Sequence, residues 1–345
     1  MKSYVFPGNI EESILKIGGL PFPYMRTESF SALVKDSEKM LLSLINCPKG
    51  RVIFYTSSGT GAMDAVVTNY VSQHRKAFIV AGGSFGYRWK SLCDYYHMSN
   101  DVFEVPFARD IDYEQLEKSV ELFQPDVFLC QHHETSTGQL YNLEKISAIC
   151  KKYGVSLVVD AISSFLSDEL DMDALGIDIC ITSSQKGLNI TPGLSFVFLS
   201  PRALKTRFAH QSYYFDFEEN LKNLERGQTP YSPATTIFLQ LHARLKKNLE
   251  LGVDAIIASV RANALYFREL CRQNGWQMPA EVPSNCITGF FMPKNGDILF
   301  KELIKEDIYI MPGGTPNYFR VSHLGVQTFE DLDDLARRIK RIENN

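Results

Sequence analysis

Asp178-Ile179-Cys180-Ile181-Thr182 runs into Ser183-Ser184-Gln185-Lys186-Gly187-Leu188-Asn189, and Leu194-Ser195-Phe196-Val197-Phe198-Leu199 follows: two apolar runs enclosing a polar loop that carries a lysine. Both runs are too short for most helices and rich in β-branched and aromatic residues, the composition of buried strands. A lysine at the end of such a strand, with apolar neighbours and Gly and Pro turn signals behind it, is a candidate for a lowered pKa and so for nucleophilic or Schiff-base chemistry. Taken alone it is more commonly a solvated turn residue, because lysine is rarely buried. The rest of the chain decides between the two.

Working outward, short apolar runs alternate with helical patterns. Strands are predicted at Val52-Ile53-Phe54-Tyr55, Ala77 to Ala81, Val102 to Val105, Val127 to Cys130 and Ser156 to Val159. Helices are predicted from near Ala62, over Tyr87 to His97, over Tyr113 to Phe123 and over Leu143 to Tyr153. Such alternation predicts an α/β fold, a mostly parallel sheet covered by helices on both faces. Ligands of these sheets bind outside the carboxyl ends of the strands.

The chemically informative residues lie at those ends. Thr56-Ser57-Ser58-Gly59-Thr60-Gly61 joins a strand to a helix with small hydroxylated and glycine residues, which suits an anion cradle and equally an ordinary tight turn. It matches neither the dinucleotide fingerprint nor the P-loop, which argues against nicotinamide and nucleoside triphosphate ligands. Gly82 to Gly86 contributes Phe85, His132 to Gly138 contributes Glu134 and Thr135, and Asp160 closes an apolar strand, where a bare charge is costly without a cation. A cradle, an aromatic face, a carboxylate and a lysine together are what pyridoxal phosphate requires.

Composition narrows the alternatives. The 345 residues, 45% hydrophobic and 22% charged, are ordinary for a globular protein, and a formal net charge of -4 with no basic run gives nucleic-acid binding no support. Seven scattered cysteines without a C-x-x-C pair suggest reduced thiols. The N-terminus lacks the apolar core of a signal peptide and no run approaches membrane-spanning length, so a cytoplasmic location without membrane contact is expected. Adjacent His132 and His133 face opposite ways on an extended chain and make a poor metal pair, so no metal is expected.

The ordered motifs Ser58-Gly59-Thr60, Gly83-x-Phe85-Gly86-x-Arg88, His132-x-Glu134-Thr135-Ser136-Thr137-Gly138, Val159-Asp160-Ala161, Ser184 to Asn189 and Arg320-Val321-Ser322-His323-Leu324-Gly325 resemble the class V, fold-type I aminotransferases. The branch resembled holds the alanine–glyoxylate and 2-aminoethylphosphonate–pyruvate transaminases. The resemblance implies a large domain with a mostly parallel seven-stranded sheet and a smaller C-terminal α/β domain. On that pattern, residues 1–24 form an N-terminal arm, 25–235 the large domain, and 236–345 connecting helices and the small domain. It also implies that Lys186 forms the Schiff base and moves the proton, Asp160 holds the pyridinium and Phe85 stacks on the ring. Ser58, Gly59, Thr60 and Gln185 would hold the phosphate, with Thr135 near the phenolic oxygen. Thr229 would reach the phosphate of a neighbouring subunit, which implies a homodimer with shared active sites. Arg320 would grip the substrate carboxylate, Gly8 would lie beside the substrate, and His323 would line the same pocket.

The implied reaction moves an amino group from a small donor to pyruvate or glyoxylate. Glu134-Thr135 and Val159 to Phe165 lean towards aminoethylphosphonate relatives, Ser184-Gln185-Lys186 towards alanine–glyoxylate ones; serine is a further donor. A phosphonate would call for a second cation, with Arg26 and Arg88 as the candidates. Two alternatives share the fold. A cysteine desulfurase-like lyase would place His where Gln185 stands and a mobile Cys late in the chain, where Cys286 reads as a strand residue. A catalytically silent binding protein sits poorly with retention of both Lys186 and Asp160.

Overall fold

The structure, a computed structural model, describes residues 1–71 and 76–344. The chain begins with β1 (Lys2–Ser3), the short helix α1 (Glu12–Ile17) and the long α2 (Glu28–Leu44), capped by Thr27, whose Oγ1 accepts the Phe30 N–H at 3.3 Å. The α/β alternation then runs β2 (Arg51–Tyr55), α3 (Gly59–Asn69), β3 (Ala77–Ala81), α4 (Ser84–Tyr95), β4 (Asn100–Glu104), α5 (Tyr113–Phe123) and β5 (Val127–Gln131). A small hairpin, β6 (His133–Glu134) and β7 (Gln139–Leu140), interrupts it before α6 (Leu143–Tyr153), β8 (Ser156–Asp160), α7 (Met172–Leu175), β9 (Ile179–Ser183) and β10 (Ser195–Leu199). Helices α8 (Phe217–Leu224), α9 (Thr235–Leu251) and α10 (Val253–Asn274) lead to β11 (Ile287–Phe291), α11 (Gly296–Lys305), β12 (Ile308–Tyr309), β13 (Met311–Pro312), β14 (Tyr318–Ser322) and α12 (Phe329–Asn344).

Seven strands form the central sheet in the order β2-β10-β9-β8-β5-β3-β4. Every pair from β9 through β4 is parallel, and β10 runs antiparallel to both β9 and β2. One inverted strand between two others leaves β2 pointing the same way as β9, so the carboxyl ends of β2, β3, β5, β8 and β9 share one edge. The register makes the neighbourhood specific: Tyr55 pairs with Ser195, and Ser195 with Ser183, which sets the turn after β2 close to the loop after β9. On the other side Ile181 pairs with Asp160, and Asp160 with Gln131. Strands β3, β5, β9 and β10 are buried at every position, the reason their sequences are continuous apolar runs.

A second apolar core gathers Phe267 and Cys271 of α10, Phe290 of β11, Phe319 and Val321 of β14, and Leu332, Leu335 and Ile339 of α12. Strands β11, β14 and β13 form its antiparallel sheet. The first residues, expected to form an arm, are built into this core: β1 pairs in parallel with β12, and Tyr4 is buried among its side chains. The basic end of α12 is neutralised locally, Arg338 by Asp334 and Glu306, Arg341 by Glu306, and Lys340 by Glu343. Two helices start earlier than predicted, α3 at Gly59 and α4 at Ser84. Both shifts bring helix N-termini onto the functional edge of the sheet.

Candidate active site at the carboxyl edge of the sheet

Lys186 follows β9 and is buried. Burial lowers its ammonium from the ordinary lysine value to about 8; Cys286 and Asp160 raise it in part, and Arg320 and Arg88 lower it further. Its Nζ lies 3.4 Å from the centre of the Phe6 ring. An amine of this kind is substantially unprotonated in mildly alkaline solution, which a solvated lysine is not.

Asp160, the last residue of β8, is buried, and its Oδ1 accepts the Ile162 N–H at 2.8 Å. Burial raises its pKa from the carboxylate range to about 7. Among the described residues no basic side chain lies within ion-pair distance of it. Glu134 is the opposite case. Its carboxylate accepts from the N–H groups of Phe85 (3.2 Å), Gly86 (3.1 Å) and Ser136 (3.0 Å), from Ser136 Oγ (2.6 Å) and from Gln131 Nε2 (3.2 Å). It serves the first turn of α4, whose cap residue Gly83 has no side chain to do so. Glu134 therefore builds the site's frame, and α4 begins at Ser84 because this carboxylate takes its first amides.

Ser58 caps α3 from an extended backbone conformation with no side-chain hydrogen bond to the helix, leaving first-turn amides directed past Gly59 and Thr60. A Cβ on Gly59 would come within 2.4 Å of Ile162 Cδ1, so only glycine lets this turn lie on the Asp160 loop. Arg88, a candidate second cation from the sequence, donates to Thr60 Oγ1 at 3.0 Å and lies 4.6 Å from the centre of the Phe85 ring. The cradle thus has a cation beside it, and Phe85 has a guanidinium on one face. Gln185 Oε1 and Ser183 Oγ are buried at this edge without a protein partner.

Arg320 reaches the same region from β14, donating to Thr135 O and Pro312 O at 2.9 Å each, while its buried Nε has no protein partner. Thr135 donates to Ser163 Oγ at 2.7 Å. Gly8 lies against the end of β14, where a Cβ would meet Leu324 O at 1.9 Å. His323 corrects the expectation placed on it: strand alternation turns it away from Arg320, and it is buried with Nε2 2.8 Å from Thr288 Oγ1 and its ring beside Phe267. Thr229 lines a small pocket with Tyr55 and Thr56 at the end of β2, its hydroxyl donating to Tyr231 O at 2.7 Å and its carbonyl accepting from Arg26 at 2.8 Å. Arg26 is occupied there and with Pro230 O, not at the lysine.

Sequence reasoning passed over Phe6 and undervalued His133. The imidazole of His133 is buried with both ring nitrogens unpartnered, and burial together with Lys186 lowers its pKa well below the usual histidine range.

The residues present fit pyridoxal phosphate. A buried carboxylate without a cation matches a pyridinium, a buried amine of lowered pKa matches an aldehyde, and a helix start with an arginine beside it matches a phosphate. Fold and site together define the fold-type I enzymes that use this cofactor. The sequence model of the class-V aminotransferase family matches residues 24–213, and the chain belongs to that family: it is a pyridoxal-phosphate-dependent aminotransferase. It is 26% identical to the L-aspartate–glyoxylate aminotransferase of Paracoccus denitrificans over 93% of this chain and 85% of that one. It is 28% identical to the 2-aminoethylphosphonate–pyruvate transaminase of Pseudomonas fluorescens over 91% of this chain and 89% of that one. Its fold is similar to that of a subgroup IV aspartate aminotransferase from Thermus thermophilus, with a TM-score of 0.92 at 23% identity over 99% of this chain and 98% of that one.

Proposed function

We propose that the protein moves the amino group of a small donor, of the 2-aminoethylphosphonate, alanine or serine type, to pyruvate or glyoxylate, and that it works as a cytoplasmic homodimer. The observation that carries this reading is the pairing of Lys186 and Asp160 on adjacent strand ends: a buried amine whose pKa is about 8 and a buried carboxylate without a protein cation. Pyridoxal phosphate, when bound, supplies an aldehyde carbon and an electron-accepting ring. Asp160 holds the ring nitrogen in its protonated form. Ser58, Gly59, Thr60 and Gln185 hold the phosphate, Phe85 covers a ring face, and Thr135 lies at the phenolic oxygen.

Arg320 holds the donor or acceptor carboxylate through its planar fork, beside the backbone at Gly8. Lys186 Nζ, neutral when unprotonated, takes the proton from the donor α-carbon and hands it on in the same half-reaction. Thr229 serves the phosphate of the neighbouring subunit, as the resemblance to the family implies. No helix among the described residues is long and apolar enough to cross a membrane. The lyase alternative gains no support: Cys286 is buried, and Asp168 fixes the approach to β11 by accepting from Ser284 Oγ at 2.5 Å and Asn285 N–H at 2.9 Å.

The test is an amine-transfer survey with the loaded protein, pairing 2-aminoethylphosphonate, alanine and serine with pyruvate and glyoxylate. Transfer from at least one of these donors is expected. Release of alanine and sulfide from cysteine without amine transfer would overturn the reading in favour of a lyase.

A further inference from the structure

The N-terminal turn closes over the reactive lysine and is held there from three sides. Within it, Ser3 N–H donates to Asn9 Oδ1 at 2.9 Å and Ser3 Oγ to Pro7 O at 2.7 Å. From the C-terminal sheet, Tyr4 N–H donates to Tyr309 O and Ser322 N–H to Tyr4 O, both at 2.8 Å. At its far end Asn9 O accepts from Val326 N–H at 2.8 Å and from Nδ2 of Asn189, a residue of the lysine loop itself, at 3.1 Å. Gly8 allows the turn to lie flat on Leu324. The consequence is a fixed place for Phe6, with its ring centre 3.4 Å from Lys186 Nζ and its body packed, together with Met311, on buried Val260, Cys286, Ile287 and Leu324.

A donor's nitrogen has to reach the atom that Lys186 Nζ reaches, so the groups enclosing Nζ are walls of the donor site. The wall Phe6 supplies is apolar and presents the negative face of an aromatic ring. An ammonium is welcome there, whereas a carboxylate pressed against it loses water and gains no partner. The nearby cations offer one anion site on this side. Arg320, cross-strand from Met311, has an unpartnered Nε, while Arg88 is engaged with Thr60 and Phe85, and Arg26 with Thr229 and Pro230.

We propose that Phe6 is a specificity-determining residue: a fixed aromatic wall beside Lys186 that admits donors with one anionic group and a small side chain and turns away donors carrying a second anionic group. This rests on the donor reading proposed above.

The experiment compares the loaded wild type with Phe6→Ala, Phe6→Val and Phe6→Tyr, each checked for cofactor absorbance and melting temperature. With glyoxylate as acceptor, kcat/KM for alanine should exceed that for aspartate by about tenfold or more in the wild type. The ratio should fall about tenfold when the ring is removed in F6A or F6V, and hold in F6Y. Calorimetry with propionate and succinate, which cannot react, should show the same change in relative affinity. A wild type that prefers aspartate, or ring-less variants whose ratios stay within about twofold of the wild type, would overturn the role of Phe6. If the loaded protein transfers no amine from any donor, the proposed function fails, and the propionate-to-succinate ratio still decides the part played by Phe6.

Discussion

Asp160 and Glu134 are both buried carboxylates at the same sheet edge, and their surroundings could hardly differ more. Glu134 is surrounded by donors from Phe85, Gly86, Gln131 and Ser136. Asp160 has the amide of Ile162 and, among the described residues, no cation. Burial raises both pKa values, to about 7 for Asp160, and hydrogen bonds oppose the rise for Glu134. A carboxylate saturated by its own chain is a structural element, and one left short of a cation is a place where something else is meant to sit.

The contrast is broken most severely at its shared neighbour. Lys186→Ala should reduce amine transfer by at least about 10³-fold, since on the proposed assignment one group serves both cofactor attachment and proton transfer; steady-state assays of the loaded variant check this. Next, Asp160→Asn should keep the fold and lower kcat by about 10²- to 10³-fold by removing the proposed negative partner of the ring nitrogen. The same substitution has a signature in the cofactor-free protein. The folded pKa of Asp160 lies above the unfolded one, so the folded state binds more protons between pH 3.8 and about 7, and stability falls as pH rises through that window. Denaturation midpoints measured across it should lose that slope in D160N. The lysine contributes the opposite slope, stability gained as pH rises from about 8 towards 10.5, because there the unfolded chain binds more protons.

Arg88→Gln should weaken cofactor binding by about tenfold, the cost of one charge-assisted contact, measured by fluorescence titration of the cofactor-free protein. Glu134→Gln should sharpen the comparison most: turnover within a few-fold of wild type, but a loss of about 2 kcal/mol in stability as the amides of α4 lose an ionised acceptor. A D160N that melts early and an E134Q that loses turnover would reverse the two assignments.

Much of this was legible in the sequence because the strands are buried on both faces and read as unbroken apolar runs, from Ala77-Phe78-Ile79 to Phe196-Val197-Phe198. Asp160 and Lys186 announced themselves as polar endings of such runs. Glu134 did not reveal its role, since the amides it satisfies belong to Phe85 and Gly86, far away in sequence. For the same reason the sequence predicts the start of α4 at Tyr87, three residues after its true start at Ser84. Phe6 was out of reach of local reasoning because only the folding of β1 onto β12 brings it to Lys186. His323 is different: it follows β14 directly, three residues after Arg320, an odd offset that on an extended chain turns it to the opposite face, so the alternation rule contained the correction.

The proposed function requires Lys186 to carry the cofactor. The most direct measurement is borohydride reduction of the loaded protein, followed by proteolysis and mass mapping of the modified peptide. The cofactor mass is expected on Lys186 and on no other lysine; a modification fixed at any other lysine would contradict the assignment.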